Sequence, residues 1–181
     1  MSLVLMFVYW WLVPALVLLA AMALWRRADT LLAKAVVIGG GGSILLGLLW
    51  LGAGRTMYYD AKVRELCAKD GGVRVYETVK LPAERFEKGG MVNFWQPTDG
   101  ENALGPEYVF KREMTYYRRG NPELFRMHTQ VLRRSDGKLL GESAFYTRGG
   151  GDMPGPWHGS SFMCPELSVA NDVLRQVFTK E

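Results

Sequence analysis

The chain has 181 residues, with 22 Lys and Arg against 18 Asp and Glu, a net charge of +4, and two cysteines. That balance is too mild for a nucleic-acid binder, whose footprint is a basic stripe; only the pairs Lys111-Arg112, Arg118-Arg119 and Arg133-Arg134 occur, on segments where neighbours point to opposite faces. Two cysteines are too few for a disulfide-rich scaffold and suit a single bridge in an oxidising compartment.

Two apolar runs dominate the N-terminal part. Leu3 to Trp25 and Ala35 to Gly54 contain no charged side chain, and the connector between them holds Arg26, Arg27, Asp29 and Lys34. At about 1.5 Å per residue each run can cross a hydrocarbon layer of roughly 30 Å. The pattern predicts a two-span transmembrane hairpin over residues 1–54, with spans at about 3–25 and 35–54. Residues 55–181 follow as one soluble α+β domain, long enough to bury a core. Ala21-Met22-Ala23 resembles a signal-peptide cleavage site, but no Lys or Arg precedes the run and it is too long for a signal core, so an uncleaved span is expected. Arg26 and Arg27 abut the first span, which argues for a cytoplasmic connector and a domain on the far side of a bacterial inner membrane, in the periplasm. The second span carries small residues at Ala35, Gly39, Ser43 and Gly47, a helix-packing stripe. The simplest partner for it is the Ala20, Ala21 and Ala23 surface of the first span; the alternative is a helix from another subunit.

In the domain, Thr56 to Asp70 reads as an amphipathic helix with Tyr59, Val63, Leu66 and Cys67 on one side, stopped by Gly71-Gly72. Val73 to Leu81 alternates like one half-buried strand and Pro82 ends it. A helical turn is expected over 83–88 and a short strand at Met91–Trp95, then loop chemistry to Gly105. Tyr108 to Arg118 reads as a strand. Leu124–Arg134 and Lys138–Arg148 flank Ser135-Asp136-Gly137, the composition of a tight hairpin turn, with Val131, Leu139 and Phe145 expected on a shared apolar side. Residues 149–165 read as a Gly/Pro-rich loop. The tail pattern through Val169, Val173 and Leu174 is helical, and Val177-Phe178-Thr179 is a candidate edge strand of the same sheet.

The stretches Leu66-Cys67-Ala68-Lys69-Asp70-Gly71-Gly72-Val73-Arg74-Val75-Tyr76-Glu77-Thr78-Val79, Arg119-Gly120-Asn121-Pro122, Arg133-Arg134-Ser135-Asp136-Gly137-Lys138-Leu139-Leu140-Gly141-Glu142 and Gly150 to His158 resemble a group of small bacterial membrane-anchored or exported proteins. The resemblance implies an anchored or exported single-domain module and carries no activity.

Candidate chemistry is sparse. Cys67 and Cys164 are expected to form a disulfide if the domain is exported; the rival is a cysteine-dependent hydrolase or redox enzyme served by His128 or His158. No Cys-x-x-Cys or His-x-x-x-His spacing points to zinc, no Gly-Lys-Ser/Thr follows the glycines at 149–151, and no cofactor signature occurs. Trp157 and His158 stand out as a recognition surface, with Arg118, Arg119 and Arg148 nearby as candidates for a small anionic ligand. Those arginines are otherwise solvated or paired with acids such as Glu142 and Glu113. The expected partners are the membrane and an envelope protein, not nucleic acid. The expected role is a membrane-tethered, non-enzymatic interaction module.

Overall fold

The computed structural model describes residues 2–86, 97–152, 159–166 and 173–181. They fall into two compact units, Met1–Tyr58 with Gly150–Ser160, and Tyr59–Gly149 with Ser161–Glu181.

The first unit is helical. Helix α1 (Ser2–Phe7) passes through a π-helical turn (Val8–Leu12) into α2 (Val13–Arg27), and α3 (Leu31–Leu49) through a second (Trp50–Gly54) into α4 (Arg55–Asp70). Both apolar helices, Val8–Arg27 and the run from Leu31, are long and apolar enough to cross a membrane, and neither apolar window buries a residue within the chain. Thr30 caps the second, its Oγ1 accepting from the Ala33 amide at 3.2 Å. The two π-turns lie side by side. The Tyr9 hydroxyl donates to the Leu48 carbonyl at 2.7 Å, and Trp10 sits so close to Gly52 that a Cβ there would lie 2.8 Å from the indole. Within this unit Arg55 donates to the carbonyls of Gly151 and Asp152 at 3.0 and 2.9 Å.

The second unit is built on an antiparallel sheet of β1 (Gly72–Val75), β3 (Tyr108–Arg118), β4 (Glu123–Arg133), β5 (Leu139–Gly149) and β6 (Ser161–Cys164). The order is β1-β5-β4-β3, with β6 also on β5, so β1 and β6 share one side of β5 end to end. The β4–β5 hairpin forms as its Asp-Gly turn predicts. Gly137 takes a φ of +70°, its amide donates to the Arg133 carbonyl at 2.9 Å, and Asp136 Oδ1 accepts from the Lys138 amide at 3.1 Å. The two faces of the sheet carry separate cores. On one, Val63 and Cys67 of α4 pack on Leu124 and Tyr146. On the other, Phe110, Val131 and Leu140 meet Val173 and Val177 of α5 (Val173–Val177), together with Leu81 and Phe178.

Four expectations are corrected. The segment Val73–Leu81 is not one strand: after Val75 the amides of Tyr76 and Glu77 both donate to the Leu140 carbonyl, at 2.8 and 3.0 Å, and the chain leaves the sheet. It resumes as β2 (Val79–Leu81), which pairs in parallel with β7 (Phe178–Lys180) in a separate two-stranded sheet, so β7 is not an edge of the main one. Ser161–Cys164, expected within a loop, is a strand because β5 runs on to Gly149 and offers it an open edge. Leu139 does not share a face with Val131. A bulge pairs Leu132 with Leu139 but Val131 with Gly141, and the extra residue, Leu140, fills the core instead. The helical turn expected at 83–88 is present as Ala83–Arg85. The strand expected at Met91–Trp95 lies outside the described residues.

Candidate functional site

From Tyr59 to Asp70 helix α4 is fastened to one face of the sheet, and the spacing of its residues makes this possible. Asp60, Val63, Cys67 and Asp70 recur at intervals of three and four, a single helical face. Cys67 is bonded to Cys164, with Cα atoms 5.9 Å apart. Asp60 Oδ1 accepts from Arg148 Nε at 2.6 Å, and the Arg148 side chain is 3% exposed. Next to Asp60, the Tyr59 hydroxyl accepts from Arg118 at 2.6 Å, and the guanidinium lies 5.1 Å from the Tyr59 ring centroid. At the helix end, Asp70 accepts from Tyr146 at 2.5 Å and from Arg126 at 2.8 Å. The strand register sets these partners in rows: Arg118, Leu124 and Arg148 stand opposite one another, as do Arg126, Tyr146 and Cys164. Burial raises the Asp70 carboxyl, but the hydrogen bonds from Tyr146 and Arg126 and the Arg126 charge outweigh it and hold the group below its ordinary value. Burial, then the bond to Asp70, pushes the Tyr146 phenol well up.

The arginines singled out from the sequence are thus spread over different tasks. Arg148 pairs with Asp60, not with Glu142 or Glu113 as expected, because residue 148 lies on the row beneath α4. Arg118 also donates to the Pro122 carbonyl at 3.0 Å, and Arg119 stacks 4.8 Å from the Tyr116 ring. Trp157 and His158 lie outside the described residues. With both thiols bonded to each other, a cysteine nucleophile would first require reduction of the bridge.

Beyond α4 the same sheet face becomes a polar floor. His128 Nε2 lies 2.8 Å from Glu142 Oε2, the Tyr76 hydroxyl donates to Glu142 Oε1 at 2.7 Å, and Arg74 stands 3.9 Å from that oxygen. The Tyr76 bond, with His128 and Arg74, holds the Glu142 carboxyl below its ordinary value against burial. Glu113 lies opposite His128 and Lys111 opposite Gln130, and these residues line a cavity of about 430 Å³. The His128–Glu142 pair orients an imidazole as a base would be oriented, and the two cysteines take no part in it, being bonded to each other. Among the described residues, no group of three or more His, Cys, Asp or Glu is placed to hold a metal ion. Sequence reasoning missed this pair: His128 stands opposite Ala144 and Glu142 opposite Gln130, so the two side chains meet only diagonally across the β4–β5 register.

Within the chain, the small-residue stripe of the second apolar helix does not face α2. Ala35, Gly39, Ser43 and Gly47 are all exposed, and a Cβ on Gly39 or Gly47 would meet no atom within 4 Å. The face turned to α2 runs instead through Val37, Gly41 and Leu45, where a Gly41 Cβ would lie 3.5 Å from Ala21. Two residues along is about 200° around the helix, so the stripe points away from α2.

No family model matches the chain, no curated protein matches it, and no solved structure matches it.

Proposed function

We propose that the chain is a membrane-tethered, non-enzymatic interaction module of the cell envelope. Its apolar helices anchor it in a bacterial inner membrane as a two-span hairpin, its sheet domain faces the periplasm, and it engages an envelope protein. The observation that carries this reading is the composition of the outer strand. On β3, last in the sheet order, Met114, Tyr116 and Tyr117 are 43%, 38% and 50% exposed, with Arg119 stacked over Tyr116. Met, Tyr and Arg are the residues enriched in protein interfaces. The resemblance to small bacterial anchored or exported proteins agrees with this role. The rival readings draw less support: the cysteines are bonded, and Arg118 and Arg148 are committed to α4.

The test is a photo-crosslinking residue at Met114, expressed at native level, with purification in mild detergent. A discrete adduct with a second protein is expected, absent when the crosslinker sits at Lys80. A lone monomer without adduct from Met114, Tyr116 or Tyr117 would refute the reading.

A further inference from the structure

The connector between the two apolar helices combines cations without acid partners and apolar side chains without cover. Arg26 and Arg27 close α2, and Lys34 lies in the first turn of α3. Three arginines of the sheet domain are held in ion pairs: Arg126 to Asp70 at 2.8 Å, Arg148 to Asp60 at 2.6 Å, Arg133 to Asp136 at 3.1 Å. Among the described residues, none of the three connector cations is paired with a carboxylate, although Asp29 lies between them in sequence. The Lys34 ammonium instead lies 5.5 Å from the Trp25 ring centroid, drawing the start of one helix to the end of the other.

The second observation is independent of charge. Leu31 and Leu32 are 88% and 79% exposed, the two most exposed large apolar side chains of the chain's described residues. They sit on the first turn of α3, within three residues of Lys34. In water such a pair is a liability. At a bilayer surface it is an anchor, because leucines enter the acyl boundary while neighbouring Lys and Arg stay at the level of the phosphates. The half-charge at the C-terminal end of α2 offsets only part of a connector that carries a net +2.

We propose that this connector is a binding site for an anionic phospholipid. The lipid phosphate is taken by Arg26, Arg27 and Lys34, Trp25 flanks it at the interface, and Leu31 and Leu32 enter the acyl layer beside it. The site rests on the membrane reading above and adds to it a choice among lipids. A zwitterionic head group brings its own ammonium into the same space and cancels the attraction, so the preference is for lipids with net negative charge.

The full chain, reconstituted in phosphatidylcholine vesicles, is probed with spin-labelled phosphatidylglycerol or spin-labelled phosphatidylcholine, and the motionally restricted fraction gives the relative association of each. The anionic lipid is expected to be favoured about fivefold or more. The ratio should fall toward one in the triple variant Arg26→Gln, Arg27→Gln, Lys34→Gln, and should hold in Lys111→Gln, Arg112→Gln. Equal restriction of the two lipids by the wild type, or a preference that survives the triple variant, overturns the site. Loss of the preference in phosphate buffer but not in chloride of equal ionic strength reassigns it to a free anion and overturns it as well. A chain that never enters the vesicles removes the membrane reading itself, a result distinct from equal restriction inside the bilayer.

Discussion

Asp70 shows how one side chain decides whether a helix end stays in place. It accepts from Tyr146 and Arg126 together, and this keeps its carboxyl ionised below the pH at which an unfolded aspartate would protonate. A carboxylate whose pKa is depressed on folding contributes stability that is complete above its unfolded value, about pH 4, and is lost as pH falls through the folded value. Thermal melts in detergent from pH 7 to pH 3 should therefore separate the wild type from Asp70→Asn above about pH 4 and bring the two curves together on acidification. Curves that stay parallel to pH 3 would remove Asp70 from the account. Gly141 is a second single-residue determinant. A Cβ there would lie 2.5 Å from Val177 Cγ2 and 3.2 Å from the Arg74 carbonyl, so the sheet and α5 approach more closely than any side chain allows. Gly141→Ala should cost about 1–3 kcal/mol in denaturant unfolding. Pairing it with Val177→Ala should give back part of that loss, whereas independent costs that simply add would deny the contact.

At the scale of elements, the fastening of α4 combines a covalent bond with charge pairs on one helical face. Closing a loop with a sequence separation of 97 residues, the Cys67–Cys164 bond restricts the unfolded chain most. Replacing both cysteines with serine should cost about 2–5 kcal/mol in chemical unfolding while leaving the β-sheet circular dichroism of the folded state intact. No change in the unfolding midpoint would mean that Asp60, Asp70 and the α4 core suffice without it. Much of this was legible beforehand. The spacing of Tyr59, Val63, Leu66 and Cys67 marked the buried side of the helix, and Asp136-Gly137 marked the hairpin, because both signals are local. What escaped was set by events between distant segments. One bulge at Val131–Leu132 moved Leu139 off the expected face, and one carbonyl, Leu140, broke the run 73–81 into two strands in two sheets. The His128–Glu142 pair escaped for the same reason, since it exists only in the register of β4 with β5.

At the scale of the whole molecule, two kinds of segment are joined in one chain. Among the described residues nothing buries the apolar windows of the two helices or their small-residue stripe, and the sheet unit carries its own two cores. The sequence showed the first division through hydropathy alone. It did not show which side of the second apolar helix meets α2, because helical phase at a contact is fixed by which side chains interlock, here Val37, Gly41 and Leu45, and small residues on either side look alike in a list. The helix beneath the sheet is clamped by an oxidised cysteine pair, the state that the proposed location outside the cytosol would maintain. The most direct test of this clamp is alkylation of the chain trapped by acid in intact cells and denatured without reductant, read as a mass shift on a gel. The account predicts no modified cysteine before reduction and two after it. Two cysteines modified without reduction would contradict it.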